Sequence, residues 1–272
     1  MIGSRDDFES DGFCLIRKCF PVEKILAVRR AWDEFLAEWS PHDFVESGAN
    51  RQDFVVLGDL DASRTPGISL TPSERDELFI LGDLHRYFPH AFDVIGLSAL
   101  QALTADLLEC SIGELVYDFS NLTRKALRIG PNMNWHRDMG NRYISSQNGD
   151  AFLRVLIPLD VSREENGTLG VFPGSHRRTT SLPVRSELEA LGAPFWLDMA
   201  PGDAVWIHPM LLHGGGPNRS ENDRNFLIVQ LSRRGADSPL NLADATSGQS
   251  FSDIIHRVLT RPGAFKKTSR LP

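Results

Sequence analysis

The first part of the chain, about residues 1–111, has an apolar pattern that predicts one short strand followed by helices. The run GFCLIRKCF is typical of a β-strand. In PVEKILAVRRAWDEFLAEW, apolar residues recur at steps of three and four, the period of one helix face. These residues are Ile25, Val28, Trp32, Phe35 and Trp39. A second helical region is predicted from about residue 86 to residue 110, and residues 45–75 are predicted to be irregular.

Short apolar runs separated by turn signals occupy about residues 112–233 and predict a β core. The runs include GELVYDFSNLT, KALRIG, AFLRVLIPLDV and NFLIVQLS, and clusters such as SREENGT and APGD separate them. Many short strands at this spacing favour an antiparallel sandwich or a closed barrel. The tail from residue 234 is loop-rich, with one predicted short helix, FSDIIHRVLT. Because we see no linker, we expect a single domain over residues 1–272, mainly β with flanking helices.

The composition of the chain indicates which kinds of binding partner and which cellular compartment to expect. A net charge of −7 argues against binding to nucleic acid or a membrane surface, because either needs a basic face. Cys14, Cys19 and Cys110 lie in apolar contexts and predict buried free thiols in a reducing compartment. The N-terminus lacks the apolar run of a signal peptide, and no stretch approaches the length of a membrane span. We therefore expect a cytoplasmic protein with a small-molecule substrate; the sequence predicts no oligomeric state.

The segment WHRDM, residues 135–139, carries the first candidate chemistry. In a strand, residues i and i+2 face the same side, so His136 and Asp138 would project together while Arg137 points away. An imidazole beside a carboxylate can form two arms of a metal chelate. A hydrogen-bonded surface pair is the simpler interpretation, because H-x-D occurs often by chance.

A third ligand from a distant strand would complete a facial triad of two histidines and one carboxylate. Such a triad leaves coordination positions open and suits non-haem Fe(II) oxygenases. The stretch WIHPMLLHGGGPNRSENDR, residues 206–224, offers His208 and His213. Each has an arginine eleven residues downstream, Arg219 (219 − 208) and Arg224 (224 − 213), so the spacing alone does not choose between them.

Several longer motifs resemble those of one family. The H-x-D pair, ENGTLGVFPGSHR and PGDAVWIHPMLLHGGGPNRSENDR resemble the phytanoyl-CoA dioxygenase family of Fe(II)/2-oxoglutarate-dependent oxygenases. The opening FESDGFCLIRKCF followed by a helix is also similar. The resemblance extends over about residues 8–233 and implies a double-stranded β-helix, a cupin-like jelly roll with N-terminal helices packed on one sheet. It also implies Fe(II), the co-substrate 2-oxoglutarate and O2.

The resemblance selects His213 as the third ligand. In that family the distal histidine precedes a small-residue turn, an Asn, a Ser or Thr, and an Arg eleven residues on. The sequence from His213 to Arg224 fits this pattern, whereas PMLLHGG after His208 does not. The strand that begins at Arg224 can hold its guanidinium in the barrel interior, whereas Arg219 lies in a loop. We predict that His208 lies at the pocket rim, as a candidate substrate contact.

The predicted iron ligands and catalytic residues are His136, Asp138 and His213. Since relatives that halogenate have a small residue in place of this carboxylate, Asp138 implies oxidation without halide. Arg224 is the predicted partner of the far carboxylate of 2-oxoglutarate, because a guanidinium binds a buried carboxylate through two hydrogen bonds. Asn134, two residues before His136, and Thr168 are further candidates for binding the co-substrate.

Substrate contacts are expected from loops over the barrel mouth. Residues 139–150 directly follow the metal motif and are a predicted lid, with Arg142 and Tyr143 as candidate substrate contacts. Residues 45–75 are a second lid candidate. His176, in the family motif PGSHR, is predicted to be structural rather than a ligand. The sequence has no strong basic cluster for the pyrophosphate of CoA, which favours a smaller or neutral polar substrate.

These observations predict a dioxygenase that oxidises an unactivated C–H bond of a small organic substrate, in a tailoring step of secondary metabolism. The outcome is hydroxylation, or oxidative cyclisation or epimerisation. An acyl-CoA or small-metabolite hydroxylase of primary metabolism is the alternative within the family. A zinc-dependent cupin-type hydrolase or isomerase is the alternative from another class, since zinc accepts the same ligands, but it leaves Arg224 without a use. The intact triad argues against a catalytically silent binding protein.

Overall fold

The computed structural model describes residues 5–61, 63–65, 67–138, 152–177, 185–235 and 249–260. The first part contains α1 (Arg5–Asp11), β1 (Phe13–Ile16), α2 (Val22–Ala37), α3 (Pro41–Glu46), β2 (Phe54–Val56), α4 (Pro72–Arg75), β3 (Leu78–Leu81), α5 (Leu84–Tyr87), α6 (Phe92–Ile95) and α7 (Ser98–Leu107). The remainder contains β4 (Leu115–Lys125), β5 (Met133–His136), β6 (Phe152–Pro158), β7 (Gly170–Val171), α8 (Arg185–Leu191), β8 (Phe195–Trp196), β9 (Ala204–Ile207), β10 (His213–Gly215), β11 (Arg224–Arg233), β12 (Gln249–Ser250) and α9 (Phe251–Thr260).

Two antiparallel sheets form the core. The larger sheet has the strand order β1-β9-β6-β11-β4-β3-β2, and β12 also pairs with β4. The smaller sheet has the order β5-β10-β7-β8. The predicted fold, mainly β with flanking helices, is confirmed. Within the described ranges, no helix is both long and apolar enough to cross a bilayer.

The two faces of the larger sheet have different partners, because successive residues of a strand point to opposite faces. From β11, Leu227 and Val229 join a cluster that contains helix residues such as Trp32. Phe226 and Ile228 join a second cluster, together with residues of the smaller sheet. The helices therefore cover one face of the larger sheet, and the smaller sheet packs against the other.

Helix α2 confirms the predicted helical pattern. Ile25, Val28 and Trp32 are buried, and the Trp32 indole donates a 2.8 Å hydrogen bond to the side chain of Asn225 in β11. The helix ends before Trp39, which still packs partly buried against the same core. Burial of this one face attaches the helix to the strand in which Arg224 is the first residue.

Two local predictions differ from the structure. The second helical region is divided into α5, α6 and α7, because Phe88 (φ −143°) precedes Pro89 and Leu97 is extended. The run KALRIG turns after Lys125 rather than continuing as a strand, and Arg128 has a φ of 62°. The three cysteines are free, as predicted, but of the three only Cys14 is buried, and Cys19 and Cys110 are partly exposed.

Candidate metal centre

Neighbouring strands bring the two predicted histidine ligands together. In the smaller sheet, His213 of β10 is the direct partner of His136 of β5, and their ring centroids are 4.2 Å apart. Asp138 follows the end of β5, and its backbone N–H donates to the carbonyl of Pro209 at 2.8 Å. Arg137 points away, as predicted, and donates to the carbonyl of Met210 at 2.9 Å. The turn after β9 therefore holds the H-x-D segment in place.

The imidazoles are oriented by backbone carbonyls. His136 Nδ1 donates to the carbonyl of Asn134 at 2.7 Å, and His213 Nδ1 donates to the carbonyl of Leu211 at 2.9 Å. Each Nε2 is then the unprotonated nitrogen of the neutral ring and is available as a ligand. The two Nε2 atoms lie 3.7 Å and 3.8 Å from Oδ1 of Asp138. All three ligand atoms thus converge on one point.

The protonation states at this point suit a metal ion. Burial alone would raise the pKa of Asp138, but Arg154 and the two histidines outweigh it and lower that pKa. Burial, reinforced by His136, lowers the pKa of His213 to about 4. The carboxylate is therefore ionised and His213 neutral near pH 7, which are the forms that bind metals.

Asp138 provides the test of fit. Its side chain is 0% exposed, and neither carboxylate oxygen has a hydrogen bond. Nη1 of Arg154 lies 2.6 Å from Oδ1, an ion pair without hydrogen-bond geometry. A buried carboxylate with unsatisfied oxygens, facing two imidazole nitrogens, fits a divalent cation such as Fe(II) or Zn(II). One other group of ligand-type residues lies within the described ranges, on α3, and it is exposed.

One face of the larger sheet forms the wall of the adjacent pocket. In β11, alternate residues from Arg224 to Ile228 line it, together with residues of the neighbouring strands β4 and β6. These residues are Arg224, Phe226, Ile228, Thr123, Lys125, Arg154 and Leu156. Successive residues of a strand point to opposite faces, so residues that line the pocket alternate with residues that face the helices.

Arg224 is buried in this wall. The residue is 4% exposed, its guanidinium carbon lies 4.4 Å from the centroid of the Phe226 ring, and its Nε has no hydrogen-bond partner. Burial lowers its pKa to about 9. The carboxylate that opposes this shift, Asp160, is itself bonded to Arg29 and Asn225. A buried guanidinium in this state needs an anion.

Lys125 is a second buried cation, and the sequence did not identify it. It is the register partner of Arg224, and its Nζ donates to the carbonyl of Gly216. Burial, followed by the charges of Arg224 and Arg64, lowers the pKa of Lys125 well below its ordinary value. The available signal was a charged residue at the end of an apolar strand, which resembles an ordinary surface position.

The two weaker candidates for binding the co-substrate have other roles in the structure. The hydroxyl of Thr168 donates to the carbonyl of Leu197 at 2.6 Å and accepts from Ser162 at 2.8 Å. Asn134 is exposed, and its backbone carbonyl orients His136. Thr168 lines the pocket and Asn134 does not. The side chain of Asn134 therefore lies outside the pocket, and the hydroxyl of Thr168 is already hydrogen-bonded within the protein.

His208 does not lie at the rim of the triad pocket. It lines a separate cavity of about 330 Å³ together with His176, and the two ring centroids are 5.1 Å apart. The backbone N–H of Met210 donates to His208 Nδ1 at 3.0 Å. This cavity is larger than the triad pocket, but the triad pocket contains the converging ligands. Arg219 is exposed in the loop, as predicted.

The predicted lids are described only in part. Arg142 and Tyr143, within residues 139–150, lie outside the described residues. In the other lid candidate, the side chain of Arg64 donates to the carbonyl of Asn132 at 2.6 Å. That segment therefore flanks the start of β5.

The chain is similar to known dioxygenases. A sequence-family model of phytanoyl-CoA dioxygenase (PhyH) matches residues 8–226. Dioxygenase trt7 of Aspergillus terreus is 33% identical over 105 residues, 37% of this chain and 35% of the relative. A probable alpha-ketoglutarate-dependent hypophosphite dioxygenase of Stutzerimonas stutzeri is 28% identical over 157 residues, 52% of this chain and 54% of the relative. These matches span about a third to a half of the curated relatives' lengths.

A solved structure shows the shared fold. EctD from S. alaskensis, with 2-oxoglutarate and 5-hydroxyectoine, superimposes with a TM-score of 0.68 at 18% identity, covering 88% of this chain and 79% of EctD. At this identity the likeness concerns the fold alone, and it confirms the predicted jelly roll. Because the family model covers most of the sequence, the chain belongs to the phytanoyl-CoA dioxygenase family.

Proposed function

We propose that the protein is an Fe(II)- and 2-oxoglutarate-dependent dioxygenase that oxidises an unactivated C–H bond of a small organic substrate. One observation carries the proposal. A triad of two histidines and a carboxylate adjoins a pocket wall with two buried cations, Arg224 and Lys125, neither of which forms an ion pair with a described residue. Such a wall suits a dicarboxylate that also reaches the metal.

The metal-binding part consists of His136, Asp138 and His213. Their Nε2 atoms and Oδ1 would hold Fe(II), and the carbonyls behind the Nδ1 atoms keep both rings turned towards it. The chemistry supplied by the bound iron is O2 activation coupled to decarboxylation of 2-oxoglutarate to succinate. Three protein ligands leave room for a chelating co-substrate and O2.

The cationic wall would orient the co-substrate. Arg224 would bind the far carboxylate through two hydrogen bonds, and Lys125 would add a third. A bound carboxylate would also favour the protonated form of Lys125, whose pKa burial otherwise lowers. Phe226 and Ile228 beside Arg224 exclude water, which strengthens these contacts.

The proposal names the type of reaction and not an individual substrate. We propose a tailoring reaction of secondary metabolism, either hydroxylation or oxidative cyclisation or epimerisation. The alternative within the family is a hydroxylase of acyl-CoA or a small metabolite in primary metabolism. The zinc hydrolase or isomerase uses the same three ligands but gives Arg224 and Lys125 no anion to bind.

The test is 2-oxoglutarate binding under argon and succinate formation in air, both with Fe(II). We expect wild type to bind the co-substrate and release succinate, and His213→Ala to lose at least about 100-fold in iron affinity. His208→Ala is the matched control and should bind iron within about threefold of wild type. Tight zinc binding without 2-oxoglutarate binding or succinate would contradict the proposal.

A further inference from the structure

A third basic side chain, the partly buried Arg154, lines the same pocket as the triad. It is the charged residue inside the apolar strand β6, and its side chain is 13% exposed. Its register partners are Gln230 of β11 and Ile207 of β9. The pleat places Arg154 on the pocket side together with Leu156.

The guanidinium of Arg154 is anchored at one end. Its Nε donates to Oε1 of Gln230 at 3.1 Å, and its carbon lies 5.1 Å from the centroid of the Phe119 ring. Gln230 is itself oriented, because its Nε2 donates to Asp118 at 3.0 Å. This support fixes the stem and directs Nη1 towards Asp138, at 2.6 Å from Oδ1. A guanidinium held in this way is organised before its partner binds.

The present partner of Arg154 is an atom that a metal would use. Both imidazole Nε2 atoms face the same Oδ1 of Asp138 that Nη1 contacts. When a divalent cation takes this oxygen, it repels the guanidinium and weakens the ion pair. Within the described residues, Asp138 is the carboxylate that forms an ion pair with Arg154. Metal binding therefore weakens the one ion pair that this largely buried guanidinium forms with a described residue, and a second anion would stabilise the guanidinium.

The charges of the loaded pocket lead to the same requirement. Iron brings two positive charges, and Arg154 and Arg224 bring one each. Asp138 supplies one negative charge and 2-oxoglutarate two, so one positive charge is left even if Lys125 is neutral. Asp118 supplies less than a full charge, since burial raises its pKa to about 7, and it bonds Gln230 and Ser232. A neutral substrate would leave this charge uncompensated.

We propose that Arg154 binds a carboxylate, or a comparable small oxyanion, of the substrate beside the iron position. The inference rests on the proposed function and narrows its substrate class from a small organic molecule to an organic anion, rather than the neutral polar molecule that the sequence favoured. Two Nη donors match the two oxygens of a carboxylate. The alternative role, positioning Asp138, predicts an effect on iron affinity and none on substrate charge.

The experiment compares two probes of equal shape, butyrate and butyramide. Each is titrated calorimetrically under argon into the Fe(II) protein saturated with 2-oxoglutarate. We expect wild type to bind butyrate at least about tenfold more tightly than butyramide, as a charge-assisted contact implies. The preference should fall to within about twofold in Arg154→Gln and persist in part in Arg154→Lys, which retains the charge.

Arg124→Gln is the matched control. Arg124 is also a buried arginine of the larger sheet, but it pairs with Glu77 and Asp223 on the side away from the pocket. Its variant should retain the full preference for butyrate. Circular dichroism of each variant verifies folding. If Arg154→Gln does not fold, the preference for butyrate is measured in Arg154→Lys instead.

Each other outcome has one meaning. Equal affinity for the two probes in wild type, or no butyrate binding with 2-oxoglutarate binding intact, overturns the inference about Arg154. The same holds for a preference that survives in Arg154→Gln, or for a loss of iron affinity beyond about tenfold with the preference unchanged. Failure of wild type to bind 2-oxoglutarate instead contradicts the proposed function.

Discussion

The two histidine–arginine pairs between residues 206 and 224 have the same spacing and opposite environments. His213 and Arg224 are 5% and 4% exposed and line one pocket. His208 lines a different cavity, and Arg219 is exposed in a loop. With the same spacing along the chain, the first pair is therefore buried together, whereas the two residues of the second pair lie in different places.

Strand pairing explains the difference. His213 lies in β10, which pairs with β5 on one side and β7 on the other, so its side chain must meet that of His136. His208 follows the end of β9 and precedes Pro209, which has no N–H for a further ladder bond. Strand register, rather than spacing along the chain, therefore brings His213 to the candidate metal site.

The largest expected effect separates the two arginines. Arg224→Gln removes the proposed partner of the far carboxylate of 2-oxoglutarate, and we expect the KM for 2-oxoglutarate to rise about thirtyfold or more. Arg219→Gln changes an exposed loop residue and should alter it less than about twofold. The measurement is succinate formation at varied 2-oxoglutarate. Equal effects of the two substitutions would remove the distinction between the pairs.

Two buried carboxylates differ in the same way: Asp138 faces the candidate metal position, and Asp118 does not. Cationic neighbours lower the pKa of Asp138, whereas burial raises that of Asp118 to about 7. The folded protein therefore keeps the Asp118 proton up to about pH 7, while the unfolded chain loses it near pH 4. The free energy of unfolding should consequently decrease as the pH rises between these values.

Asp118→Asn removes this titration. Relative to the variant, wild type should lose about 2 to 3 kcal/mol of unfolding free energy between pH 5 and pH 8. Urea unfolding of both proteins at the two pH values gives the difference. Equal pH dependence in the two proteins would show that Asp118 is ionised throughout the range.

The smallest expected effect concerns two neighbouring glycines at the end of β10, Gly215 and Gly216. A Cβ on Gly215 would lie 2.8 Å from the carbonyl of Thr168 and 3.0 Å from Nζ of Lys125, whereas one on Gly216 would meet no atom within 4 Å. Gly215→Ala should lower the free energy of unfolding by about 1 to 2 kcal/mol and weaken 2-oxoglutarate binding. Gly216→Ala should change stability by less than about 0.5 kcal/mol. Thermal unfolding compares them; a larger loss in Gly216→Ala would contradict the packing argument.

The strand period predicted part of the candidate site and missed part of it. It placed His136 and Asp138 on one side and Arg137 on the other, and the structure agrees, although β5 ends at His136 and Pro209 holds Asp138. Lys125 looked like an ordinary charge at the end of an apolar strand. The burial of Lys125 follows from the pairing of β4 with β11, because this pairing sets which face of each strand lines the pocket.

Local patterns in the sequence predicted most of the elements, and the family motifs implied the jelly roll. The 3.6-residue period of α2 and the apolar run of β11 are local properties, and the H-x-D and His213–Arg224 motifs lie within short segments. Only the tertiary structure decided which charges share the pocket, how the imidazole nitrogens point and that His208 belongs elsewhere. These depend on register between distant strands and on burial, since desolvation and Coulomb energies are set by neighbours in space rather than along the chain.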